Sequence, residues 1–98
     1  MTRDEVVATL KREEASIRRF GATALYLFGS AARDELGPDS DIDLFIEYDA
    51  ASPPDLIDMS RLDRHLAGVL NRRVDLGTRD GLHPRLREEI ERTSIRVV

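Results

Sequence analysis

Two aspartates one residue apart, Asp41 and Asp43, lie at the start of an otherwise apolar run that continues through Leu44, Phe45 and Ile46. Residues Asp41 to Tyr48 alternate with the side-chain period of a strand. Ile42, Leu44, Ile46 and Tyr48 point to one side, and Asp41, Asp43, Phe45 and Glu47 to the other. The two carboxylates therefore leave the same face, roughly 6.5–7 Å apart along the chain. Placing like charges against a core is costly unless a cation lies between them. A pair of divalent ions meets that need. Hard carboxylate oxygens suit Mg²⁺, and two-metal sites hold their ions about 3.5–4 Å apart. Asp75, bracketed by Val74 and Leu76 in a strand predicted over Arg73 to Leu76, supplies a third acid if that strand lies beside the second.

Upstream, the apolar stretch Ala24–Phe28 reads as a buried strand and ends abruptly in Gly29-Ser30. A helix is predicted from Ser30 to Leu36, stopped by Gly37-Pro38. A strand that closes on glycine and opens a helix leaves backbone N–H groups free to meet an anion. Glycine lets a phosphate approach the backbone, and the Ser30 hydroxyl adds a donor. Arg33, three residues on, shares the helical face of Ser30 and is suited to pairing with phosphate oxygens. Mg²⁺ held by few carboxylates completes its shell with water and substrate phosphates. An anion cradle facing paired carboxylates thus points to a metal-bound polyphosphate.

The remaining pattern predicts an α/β (α+β) fold: one small mixed sheet flanked by helices. A first helix is expected over residues 3–20, opened by a Thr2/Glu5 capping box, with Val6, Leu10, Ile17 and Phe20 inward and Gly21 at its end. Leu62, Leu66 and Leu70 mark a second amphipathic helix. His83-Pro84 opens a last one reaching about Arg92, and Ser94–Val98 reads as a terminal strand. His65 falls on the polar side of its helix and is expected at the surface, whereas His83 suits a turn or cap. The 98 residues predict a single domain, 1–98, with room for one core. The net charge of -4 argues against a dedicated nucleic-acid binder, whose affinity comes from neutralising phosphates. There is no cysteine, so no disulfide framework or thiolate metal site. Without a signal-like apolar core or a run of about 18 apolar residues, a cytoplasmic chain away from membranes is expected.

Phe28-Gly29-Ser30, followed ten residues later by Asp41-Ile42-Asp43-Leu44, resembles the signature of the DNA polymerase β-type nucleotidyltransferases. The fuller stretch GSAARDELGPDSDIDL is similar to their minimal branch, whose members pair with small helical HEPN proteins in toxin–antitoxin modules. RRVDLGT resembles the strand that carries the third acid, and LHPRLREEIERTSIRV the C-terminal end of that branch. The resemblance implies a palm-like sheet and transfer of AMP from ATP to a hydroxyl, with pyrophosphate leaving. Two Mg²⁺ ions on Asp41, Asp43 and Asp75 are implied, with Asp75 either a metal ligand or the base for the acceptor. Gly29 and Ser30 would hold the triphosphate. It further implies a HEPN-family toxin as partner, a tyrosine as acceptor and a hetero-oligomer. One position departs from the branch: Asp34 stands where it usually has glycine after Ala-Arg. If that glycine is left-handed, Asp tolerates the conformation better than most residues, while its charge near the phosphates would weaken nucleotide binding. An antitoxin that neutralises its toxin by binding alone, and a small-molecule transferase of the antibiotic-modifying kind, are the alternatives at this point.

Overall fold

A computed structural model describes every residue from Met1 to Val98. In chain order the elements are α1 (Arg3–Lys11), α2 (Glu14–Arg19), β1 (Ala22–Phe28), α3 (Gly29–Ala32), β2 (Ile42–Tyr48), α4 (Leu56–Leu70), β3 (Val74–Thr78), a 3-10 turn (Arg79–Gly81), α5 (Pro84–Thr93) and β4 (Ile95–Arg96). The strands form one sheet in the order β3-β2-β1-β4. β1 runs antiparallel to both β2 and β4, while β2 and β3 are parallel, so the sheet is mixed. A parallel pair needs a crossover, and α4 supplies it. No helix is long and apolar enough to cross a membrane.

Local chemistry sets the element ends. Thr2 Oγ1 accepts from Glu5 N at 3.1 Å and Glu5 Oε1 accepts from Thr2 N at 3.0 Å, the reciprocal box read from the sequence. Asp55 and Asp58 form an equivalent box at the start of α4, which ends on Asn71 in the left-handed conformation, φ 52°. His83 caps α5, its Nδ1 accepting from Arg85 N at 3.2 Å.

Two expected helices are shorter than the periodicity implied. The helix expected over 3–20 is divided between α1 and α2. Lys11-Arg12-Glu13-Glu14 offers no apolar side chain to a core, and the chain turns there, Glu13 N donating to Leu10 O at 2.9 Å. The turn lets α1 pack on α4 while α2 packs on β1. It also aims Glu13 Oε1 at His65 Nε2, 2.6 Å away, so His65 is half-buried against α2 rather than free at the surface. The helix expected over Ser30–Leu36 is a single turn, α3, because Asp34 adopts φ 58° and ends it.

One face of the sheet carries the main core. Leu25, Leu27, Ile42, Leu44 and Ile46 are buried against Val6 and Leu10 of α1, Ile17 of α2, and Leu62, Leu66 and Leu70 of α4. Each such side chain contributes roughly 1.5–3 kcal/mol by leaving water. The other face carries the acids, and it is only partly polar. Phe45 points there as the alternation predicts, yet it is fully buried. Its ring stacks on Tyr26 with centroids 4.8 Å apart and tilts against Phe28 at 5.6 Å. The Arg79 guanidinium lies 5.1 Å above Tyr26 and 5.5 Å above Phe45. This aromatic floor is the ground on which the site rests.

Candidate active site

The parallel register of β2 and β3 sets Asp43 opposite Asp75, with Leu44 opposite Leu76 on the core side. Strands lie about 4.8 Å apart, so the two aspartates are lateral neighbours on the acid-bearing face. The antiparallel register of β1 and β2 sets Phe28 opposite Asp43, which brings Gly29 alongside it. Gly29 has φ +70°, and a Cβ built on it would lie 2.2 Å from Asp43 Oδ2. Both observations require glycine here. The Gly-Ser turn and the central carboxylate are therefore in direct contact, although fourteen positions separate them in sequence.

α3 follows that turn without any side-chain cap. With only four residues it has little macrodipole, so its capacity for an anion rests on uncapped backbone N–H groups and the approach that glycine permits. Arg33 does not follow Ser30 on a continuing helix. Its side chain is exposed and pairs with Glu35, Nε to Oε2 at 3.3 Å. It nonetheless lines a cleft with Phe28 and Gly29, so a phosphate there would compete with Glu35 for it.

Burial pushes the pKa of the Asp43 carboxyl above its ordinary value; Asp75 and then Asp41 raise it further, and Arg33 opposes the rise. Arg33 therefore does not offset the burden on Asp43. Asp63 on α4 is raised as well, first by burial and then by Asp75, a fourth carboxylate near the site that no sequence motif marked.

Asp41 stands apart. It lies just before β2, and its Oδ1 is 3.1 Å from Arg73 Nε. As the side chains stand, no three acids or histidines converge closely enough to hold an ion. Even so, the donor set is that of a hard divalent cation: aspartate oxygens only, two of them on adjoining strands. Asp41 would join that set only by giving up Arg73.

The Gly37–Asp41 loop that carries Asp41 is gripped by two consecutive arginines from the α4–β3 connection. Arg72 Nη2 donates to the carbonyls of Gly37 and Ser40, the latter at 3.0 Å, and Arg73 Nη2 donates to Asp39 O at 3.3 Å. The largest cleft, about 490 Å³, lies around this grip and includes none of the three acids. Hydrogen bonds from a charged donor contribute about 1.5–3 kcal/mol each. Arg72→Ala is therefore expected to speed amide hydrogen exchange across residues 37–41 at least tenfold while leaving β1 protected. Unchanged exchange there would show that the loop holds itself.

Asp34 has a local explanation. Its left-handed φ is the conformation glycine takes most readily. Its Oδ1 accepts from Arg3 N at 2.7 Å, at the first turn of α1, where a negative charge is favoured. The carboxylate is therefore committed to α1 rather than to the phosphate cradle. Asp34→Gly exchanges the lost cap for relieved backbone strain and is expected to change stability by less than about 1 kcal/mol. Asp34→Ala loses the cap and keeps the strain, so a loss of about 1–2 kcal/mol is expected. Thermal melts of the two variants check that order.

A mixed palm-like sheet, a strand-closing Gly-Ser turn and carboxylates on adjoining strands define a nucleotidyltransferase. The family described as nucleotidyltransferase domain matches residues 10–97, and the chain belongs to it. Within that family it is a member of the minimal, MntA-like branch. It is similar to a solved minimal nucleotidyltransferase at 37% identity and TM-score 0.83, covering 97% of this chain and 95% of that one. It is 31% identical to the protein adenylyltransferase MntA of Thermococcus cleftensis over 84% of this chain and 82% of that protein. The fold also matches, with TM-score 0.63 and 22% identity, a chain in a solved complex of tri-AMPylated Shewanella oneidensis HEPN toxin with MNT antitoxin; the match covers 90% of this chain and 68% of that one.

Proposed function

We propose that residues 1–98 act as one catalytic domain, a Mg²⁺-dependent antitoxin that transfers AMP from ATP to a tyrosine hydroxyl of a HEPN-family toxin. The observation that carries this reading is the contact of Gly29 with Asp43, with Asp75 at the same level on the next strand. It joins a phosphate-binding turn directly to a carboxylate pair. Relatives named as protein adenylyltransferases, and the AMPylated toxin in a complex of the same fold, support the choice of adenylyl transfer and of partner.

In this reading Gly29 and the Ser30 hydroxyl hold the triphosphate, and Arg33 leaves Glu35 to pair with it. Asp41 and Asp43 would hold two Mg²⁺ ions, with Asp75 either completing one site or taking the acceptor proton. The ions would supply positive charge to offset the negative charge that builds on the phosphate oxygens in the transition state. The acceptor oxygen attacks the α-phosphorus. A new oxygen–phosphorus bond forms, the bond to the β-phosphate bridging oxygen breaks, and pyrophosphate departs with that electron pair. The phenolic proton passes to a carboxylate, for which Asp75, the exposed member of the pair, is the open candidate. The acceptor arrives on the partner, which makes the working form a hetero-oligomer, in the cytoplasm where ATP is available.

Asp34, the one feature that favoured an inactive antitoxin, is turned toward α1 and no longer argues for it. Incubation with ATP, Mg²⁺ and a cognate HEPN protein should add one or more AMP masses to that protein on tyrosine. An unmodified partner in the presence of folded chain and nucleotide overturns the proposal.

A further inference from the structure

Resting on that reading, we propose that the cleft between β3 and α5 is the acceptor subsite, shaped for a single phenol side chain. The cleft has a volume of about 240 Å³, and its walls include Phe28, Asp75, Gly77, Leu82, Leu86 and Ile90. Pockets that enclose drug-sized ligands run to about 300–1,000 Å³, so this one suits one side chain rather than an antibiotic. Its walls are largely apolar, and Asp75 supplies a carboxylate within them. A phenol matches that pairing of an apolar body with a hydroxyl tip, whereas serine and threonine have the hydroxyl without the body.

Gly77 is the second observation. Glycine weakens a strand and often marks a place where another group approaches closely. No turn or left-handed φ requires it here, and a Cβ built on it meets nothing within 4 Å. The space over β3 is open and not filled by the protein itself. Gly77 faces the cleft because it is opposite Phe45 in the β2–β3 register, on the acid-bearing side.

The position also suits the displacement. A second cleft of about 240 Å³ shares Phe28, Leu86 and Ile90, and contains Gly29 and Arg33 instead of Asp75. Attacking and leaving oxygens lie roughly in line through the phosphorus. With the triphosphate held on the Gly29 side, the acceptor enters from the Asp75 side. There its oxygen bonds to the α-phosphorus, its proton passes to the carboxylate, and pyrophosphate departs toward Arg33.

The test needs neither nucleotide nor partner, so it separates this subsite from the transfer reaction itself. With Leu and Ile methyls labelled, N-acetyl-tyrosinamide should shift the resonances of Leu82, Leu86 and Ile90, and N-acetyl-serinamide should not. Gly77→Val places a β-branched residue in a strand and fills the cleft. It is expected to keep or raise the melting temperature and to weaken tyrosinamide binding at least tenfold. Leu86→Asp, at an exposed position, gives the same loss if Gly77→Val does not fold. Equal responses to the two amides, shifts confined to other residues, or undiminished binding by the folded variants overturn the proposal, whatever the outcome with ATP and the toxin.

Discussion

Asp43→Asn is expected to lose adenylyl transfer and gain stability at once. Asparagine keeps the volume and removes the charge that the site uses. Deleting one preorganised electrostatic partner of a transition state lowers turnover by roughly 10²–10³. Without a cation beside it, the same charge is a burden on the folded chain. At a strand spacing of about 4.8 Å, repulsion from Asp75 amounts to about 1 kcal/mol in a water-like medium and about 3 kcal/mol at an effective dielectric of 20. Asp75 is exposed, so the lower figure governs, and a gain of about 1 kcal/mol corresponds to about 4–8 °C in a domain of this size. The pH dependence has a definite sign. The pKa of Asp43 is higher in the folded chain than the ordinary 3.8, so the folded state holds this proton more tightly than the unfolded one. Its unfavourable contribution is present at neutral pH and fades as the pH falls through the raised value toward 3.8. The difference in melting temperature between Asp43→Asn and the native chain should therefore be largest near neutrality and close below about pH 4. Thermal melts across that range check it, and a variant less stable than the native chain at pH 7 would contradict it.

Gly29→Ala is the second large effect. The added Cβ meets Asp43 Oδ2 at 2.2 Å, and the residue must hold φ +70°. Left-handed strain of about 1–2 kcal/mol and overpacking of about 1–3 kcal/mol together predict a loss of about 2–5 kcal/mol. Because Asp43 must shift to make room, nucleotide affinity should fall more than tenfold with it. Pairing Gly29→Ala with Asp43→Ala removes the clash and leaves the strain. The double variant should accordingly recover at least about 1 kcal/mol relative to the sum of the single changes. Strict additivity in denaturant titrations would mean that the contact contributes nothing.

Much of this site was legible in the residues because strand alternation is a strong signal. Asp43 had to leave the face opposite the core once Ile42, Leu44 and Ile46 claimed it, and the single acid in the third strand had to be Asp75. Asp41, expected on the same face, instead lies just ahead of β2 and pairs with Arg73. The apolar periods of α4 and the caps at Thr2 and His83 were equally readable. What the pattern hid depends on residues distant in sequence. The turn at Arg12–Glu13 is visible as a lack of apolar side chains, but the attraction of Glu13 to His65 on α4 is not. Asp34 ends α3 through a left-handed backbone stabilised by Arg3, thirty-one positions away. The buried state of Phe45 follows from the cover that Tyr26, Phe28 and Arg79 bring to the acid-bearing face. The pairing of Asp41 with Arg73 has no sequence signature at all.

If Gly29 and the carboxylates act together on the α-phosphate of a nucleotide, radiophosphorus placed at the α- or the γ-position of ATP will separate the two fates when followed into the proposed HEPN partner with Mg²⁺ present. Label on the partner is expected from the α-position, none from the γ-position, and neither with Asp43→Asn. Label arriving from the γ-position, or α-label undiminished by Asp43→Asn, would contradict that joint action.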